Sequence, residues 1–121
     1  MAEVNGNKRD GYTTSITEDV NMGDAGQGIV NTMFLQLVAQ SSWDGSVVIA
    51  GRKKGSSESL VTINYVDRTT SGNTISNAAI TGTSTNKLIQ IDATGMDIFV
   101  RHTQGAGPTG SLKILPVRMV G

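Results

Sequence analysis

The chain has 121 residues and a mass of 12.7 kDa, the size of one domain rather than two. Apolar residues make up 37% and aromatic residues 4%, so the core must be thin and aliphatic, which excludes a large ligand cavity. Ten basic residues balance ten acidic ones, which removes the long-range attraction behind non-specific nucleic-acid binding, and the absence of cysteine excludes disulfides and thiolate sites.

Zero net charge also weakens the self-repulsion that keeps proteins apart, and so favours life within an assembly. The start, Met1-Ala2-Glu3, lacks a basic and then apolar leader, and no apolar run approaches the length of a membrane helix. Synthesis in the cytoplasm and no membrane partner are the expectations.

Residues 1–28 read as an extended arm. Val4, Tyr12, Ile16, Val20 and Met22 stand isolated among Asn, Asp, Gly, Thr and Glu, with no sustained period of 2 or 3.6. Gly23-Asp-Ala-Gly-Gln-Gly28 is a hinge that frees the arm to be disordered or to order against a neighbouring subunit.

Residues 29–121 then read as one antiparallel β-sandwich. Ile29 to Gln40 is a long strand with Met33, Leu35, Leu37 and Ala39 on one face and Phe34, Gln36, Val38 and Gln40 on the other; a helix over Met33 to Gln40 is its rival. Ser41-Ser-Trp-Asp-Gly45 is expected to be a tight hairpin, with Asp44-Gly45 supplying a positive backbone angle. Strands follow at Ser46 to Ala50 and, after the basic turn Arg52-Lys53-Lys54, at Ser59 to Tyr65. One short strand is expected near Ala79 to Thr81. The last three strands are Leu88 to Ala93, Met96 to Thr103 and Ser111 to Met119, running to the end of the chain. In Met96 to Thr103, the residues Met96, Ile98, Val100 and His102 face inward. Pro116, with no amide hydrogen, requires an edge or a bend. About seven strands result, a number that fits both a jelly-roll and an immunoglobulin-like order.

Constellations for catalysis are missing from this pattern. His102 is the sole histidine, so a zinc site lacks ligands and a nucleophilic triad rests on a single residue. Asp92 and Asp97 flank a turn, but two carboxylates are few for a hard cation, and solvated turn residues explain them. The Gly-rich stretches 23–28 and 105–110 are not followed by Lys-Ser or Lys-Thr and open no helix, so they are turns rather than phosphate cradles. The expectation is no enzyme, no cofactor and no metal.

One pattern carries a resemblance. A long strand is followed by Trp43-Asp-Gly-Ser-Val-Val-Ile-Ala50, then by Asp92-Ala-Thr-Gly-Met-Asp-Ile-Phe-Val-Arg101 and Gly110-Ser-Leu-Lys-Ile114. Over residues 29–119 this resembles the small jelly-roll and related β-sandwich modules of tailed-bacteriophage virions. The resemblance implies a head decoration, or cement, protein. Such a protein clips as a homotrimer onto the major capsid protein at the outer surface of an assembled phage head. The implied contact residues are Asp10, Tyr12, Ile16, Val20 and Met22 of the arm, with Arg52, Lys53 and Lys54 as a second patch. The alternative is a carbohydrate- or receptor-binding module of a tail or fibre, built on Trp43, Tyr65 and the 105–109 loop.

Overall fold

The computed structural model describes residues 2–4, 11–23, 32–69, 73–107 and 110–117, and every regular element among them is a β-strand. In chain order these are β1 (Ala2–Val4), β2 (Tyr12–Thr14), β3 (Glu18–Gly23), β4 (Thr32–Gln40), β5 (Ser46–Lys53) and β6 (Val61–Thr62). They continue with β7 (Tyr65–Asp67), β8 (Thr74–Ser76), β9 (Ile80–Thr81), β10 (Asn86–Asp92), β11 (Met96–Thr103) and β12 (Ser111–Val117). Two six-stranded sheets result: sheet I in the order β1-β3-β11-β5-β6 with β9 also on β5, and sheet II in the order β2-β12-β4-β10-β7-β8. All pairings are antiparallel except β1 with β3.

Numbering β2, β3, β4, β5, β6, β10, β11 and β12 from one to eight gives 1-8-3-6 in sheet II and 2-7-4-5 in sheet I. This is the order of a jelly roll, with β7, β8 and β9 added between its fifth and sixth strands. Strand count alone left that order open; the pairing resolves it.

The core lies between the sheets. Leu35, Leu37, Ile89, Ile91, Leu112 and Ile114 of sheet II meet Val20, Met22, Val47, Ile49, Ile98 and Val100 of sheet I. Each such side chain contributes roughly 1.5–3 kcal/mol relative to an exposed one. The alternation expected for β4 holds and its helical rival is gone; in β11 Ile98, Val100 and His102 are buried as expected, but Phe99, on the other face, is buried as well, with Arg52 laid over it.

The arm is the main correction. Residues 12–23 supply the first two jelly-roll strands: β2 pairs with β12, and β3 pairs with β11 from His102↔Glu18 to Ile98↔Gly23. Val20 is fully buried and Met22 nearly so, both within the core cluster. Removing them from water is worth more than leaving the segment loose, so it folds onto its own domain. Asp10 and most of the Gly-rich hinge lie outside the described residues.

Two smaller corrections follow from the same topology. β4 and β5 lie in different sheets, so Ser41–Gly45 is a crossover rather than a hairpin, and the left-handed residues are Ser41 (φ 54) and Ser42 (φ 63). The expected strand over Ser59 to Tyr65 is divided into β6 and β7, one in each sheet. Pro116 lies opposite Leu35 of β4, and the described pairing of β12 with β2 runs from Leu112 to Ile114.

Candidate functional site

Three places were marked by the sequence, and the structure treats each differently. At one end of the sandwich, Trp43 and His102 are each only 1% exposed, with rings stacked at 5.9 Å between centroids. Trp43 Nε1 donates to His102 Nε2 at 2.8 Å. The indole nitrogen is donor only, so Nε2 must be the acceptor; the imidazole proton therefore sits on Nδ1, which donates to the Ile16 carbonyl at 2.6 Å. Gly45 is required here by close approach, since a Cβ would come within 2.6 Å of the Thr103 carbonyl and 2.9 Å of His102 Nε2.

The same corner fastens the N-terminal strands. The Gln104 amide donates to Thr17 Oγ1 at 2.9 Å, and Thr14 Oγ1 donates to the buried Glu18 carboxylate at 2.5 Å. Burial, and then the hydrogen bond to Glu18 and its charge, hold the Tyr12 phenol above its ordinary range. Of the described arm residues expected to grip a partner, Val20 and Met22 are core, Tyr12 packs against it, and Ile16 stands exposed.

Arg52, Lys53 and Lys54 are divided as well. Arg52 lays its guanidinium 4.8 Å from the centroid of Phe99 and donates to the Glu58 carbonyl at 3.3 Å, so it serves as a lid on a fully buried ring. Lys53 and Lys54 are exposed at the turn, whose Gly55 amide donates to Asp97 at 3.0 Å. Asp92 accepts from the amide and hydroxyl of Thr94, which hold its carboxyl below the ordinary range.

The rings expected to stack on a sugar are internal. Trp43 and Tyr65 are both buried, and the Tyr65 hydroxyl donates to the Ala78 carbonyl at 2.8 Å. Beside Trp43 is a shallow depression of about 340 Å³, lined among others by Asp44, Ser46, Thr81, Thr83, Thr103 and Gln104. Its one carboxylate, Asp44, accepts from the Gly107 amide at 3.0 Å and so is committed to the loop.

The outer faces of the two sheets differ most. On sheet I the charges are neutralised in place: Arg101 Nε donates to Asp19 at 2.9 Å, directly across the β3–β11 pair. On sheet II the outward positions mix apolar and polar residues, Lys113 and Asp92 among the latter. Cα register sets Val117 beside Phe34, Phe34 beside Gln90, Gln90 beside Val66, and Val66 beside Ile75. A second row runs Leu115, Gln36, Leu88. Ile75 is 69% exposed and Val117 41%, and the others are half-buried. Arg68 lies along the face, 5.9 Å from the Phe34 centroid and bonded to Gln90 at 2.8 Å. These apolar side chains are interleaved with Gln90 and with Gln36, which donates to Asn86 at 2.8 Å. Phe34 and Val38 were legible as a second, partly buried face of β4; the register that extends them across five strands was not.

Among the described residues no helix is long and apolar enough to cross a membrane, and no group of three or more His, Cys, Asp or Glu side chains is gathered to hold a metal. No protein-family model, curated protein or solved structure matches the chain.

Proposed function

We propose that this chain is a structural protein of a tailed-bacteriophage virion, decorating the outer surface of an assembled head by non-covalent binding to its major capsid protein. One observation carries the reading: a jelly-roll sandwich that leaves Ile75 and Val117 exposed beside half-buried Phe34, Val66, Leu88 and Leu115 on one sheet, a rigid body suited to surface contact. The link from jelly roll to virion is analogy at the level of fold, and it joins the resemblance of the Trp43–Ala50, Asp92–Arg101 and Gly110–Ile114 segments.

The mode of binding changes from what the sequence implied. A grip by residues 11–23 is withdrawn, because their apolar side chains serve the chain's own core. Contact through preformed surfaces avoids the ordering cost of an arm, and the exposed Lys53–Lys54 turn is a ready contact for an acidic shell surface. A sugar-binding role finds less support, since Trp43 and Tyr65 present no open ring face.

The test is sedimentation of the purified protein with mature phage heads stripped of decoration. Saturable, stoichiometric co-sedimentation is expected, weakened by added salt and by the pair Lys53→Glu and Lys54→Glu. Absence of binding to any head, together with saturable glycan binding, would falsify the proposal.

A further inference from the structure

We infer that His102 is an acid-operated latch: while neutral, its ring pins the N-terminal strands β2 and β3 to one end of the sandwich, and taking up a proton parts it from Trp43 and loosens them. The inference does not rest on the capsid reading, because it concerns the isolated protein.

Geometry is the first argument. Both ring nitrogens are in use: Nδ1–H donates to the Ile16 carbonyl, in the link between β2 and β3, and Nε2 accepts from Trp43 Nε1, in the crossover from β4 to β5. A hydroxyl in place of the indole could turn round and accept once the imidazole gained its second proton. An indole nitrogen only donates, so a proton on Nε2 sets one N–H against another. With each ring 1% exposed, water replaces the lost partner only by opening the corner.

The charged surroundings are the second. Glu18 of β3 is the cross-strand partner of His102 and is buried with it; its carboxylate accepts from Thr14 Oγ1 at 2.5 Å and is bonded to Tyr12 of β2. The other ionised groups nearby are engaged elsewhere. Asp44, next to Trp43, accepts from the Gly107 amide, Asp19 and Arg101 pair with each other, and Lys87 and Asp67 of sheet II neutralise each other at 2.7 Å. β5 sets the apolar Val47 opposite the ring. A carboxylate beside an imidazole favours the charged form, so Glu18 gives the protonated ring somewhere to turn. Two arrangements result, one for each charge state: Trp43 holds the neutral ring and Glu18 draws the charged one. Imidazoles change charge between about pH 5 and 8, and this is the chain's sole histidine. The latch is closed on the alkaline side of that range and is lost as pH falls, because the neutral form is the one that makes both bonds.

The test is amide hydrogen exchange and the indole ¹H–¹⁵N signal of the full chain, followed from about pH 8 to about pH 5. The Trp43 indole signal is expected to shift, and the protection factors of β2 and β3 to fall about ten-fold while those of β4 and β10 hold. His102→Gln keeps an acceptor for Trp43 and a donor for Ile16 but has no proton to gain, and should flatten both changes. Trp43→Phe removes the opposing N–H and should flatten the loss of protection as well, which keeps the test open if the glutamine variant fails to fold. Glu18→Gln should move the step to lower pH without abolishing it. Wild-type signals that stay constant over the range, a step that survives His102→Gln or Trp43→Phe, a step abolished by Glu18→Gln, or an equal loss of protection in β4 overturns the inference.

Discussion

β3 and the outer face of sheet II hold side chains in places opposite to their polarity. In β3, Glu18 and Asp19 are buried along with Val20 and Met22, whereas on sheet II, Ile75 and Val117 stand exposed beside half-buried Phe34, Val66, Leu88 and Leu115. The reason is position in the sheets. β3 lies between β1 and β11, with one face against the core and Asp19 held by Arg101, while sheet II has only its inner face covered among the described residues. Burial follows from pairing and layering, and a polar residue tolerates it once its hydrogen bonds are met.

The sharpest way to break this comparison is one substitution made in both places. Val20→Asp should abolish folding, a loss above ~4 kcal/mol from an uncompensated core charge, whereas Val117→Asp should move the urea midpoint by less than ~1 kcal/mol equivalent. A well-folded Val20→Asp protein would restore the free arm. Met22→Ala is next, with a cost of about 2–5 kcal/mol for the cavity it leaves, read by the same denaturation. Trp43→Phe removes the donor to His102 Nε2 and should cost about 1–3 kcal/mol, with the imidazole ¹⁵N shifts reporting the lost bond.

Smaller effects sharpen the contrast at the charged groups. Asp19→Asn should cost about 1 kcal/mol or less and the loss should shrink in high salt, because Arg101 is a third exposed. The hydrogen bond to Lys87 holds the Asp67 carboxyl below its ordinary range. Its stabilisation is therefore present above ~3.9 and is lost as pH falls through the lower folded value; Asp67→Asn should flatten that acid limb of an unfolding titration. Tyr12 has the opposite sign: its contribution is present below ~10 and is lost as pH rises through the higher folded value, and Tyr12→Phe should remove that alkaline limb.

Much of the fold was legible because strands announce themselves by alternation. Met96 to Thr103 matched β11 residue for residue, and the inward set of β4 was correct. The N-terminal strands were missed because Val20 and Met22 are too few to establish a period, although Asp19-Val-Asn-Met22 does alternate polar and apolar over four residues. Asp44-Gly45 misled for a different reason. That glycine is needed for the tight space beside Thr103 and His102, which looks in sequence like the same residue needed for a turn. The candidate face was half legible: Phe34 and Val38 were seen as a second face of one strand, while Val66, Ile75 and Val117 joined them only through register.

Local composition was sufficient to determine an all-β chain with a thin aliphatic core, no thiol chemistry and no net charge, because β-branched alternation and residue type act within a few neighbours. Tertiary structure alone decided that the strands are shared between two sheets in jelly-roll order, that residues 12–23 close the core, and that one outer face pairs Arg101 with Asp19 while the other leaves Ile75 and Val117 exposed. Those outcomes depend on which strands lie side by side, and pairing joins residues as far apart as Asp19 and Arg101, beyond the reach of any local pattern.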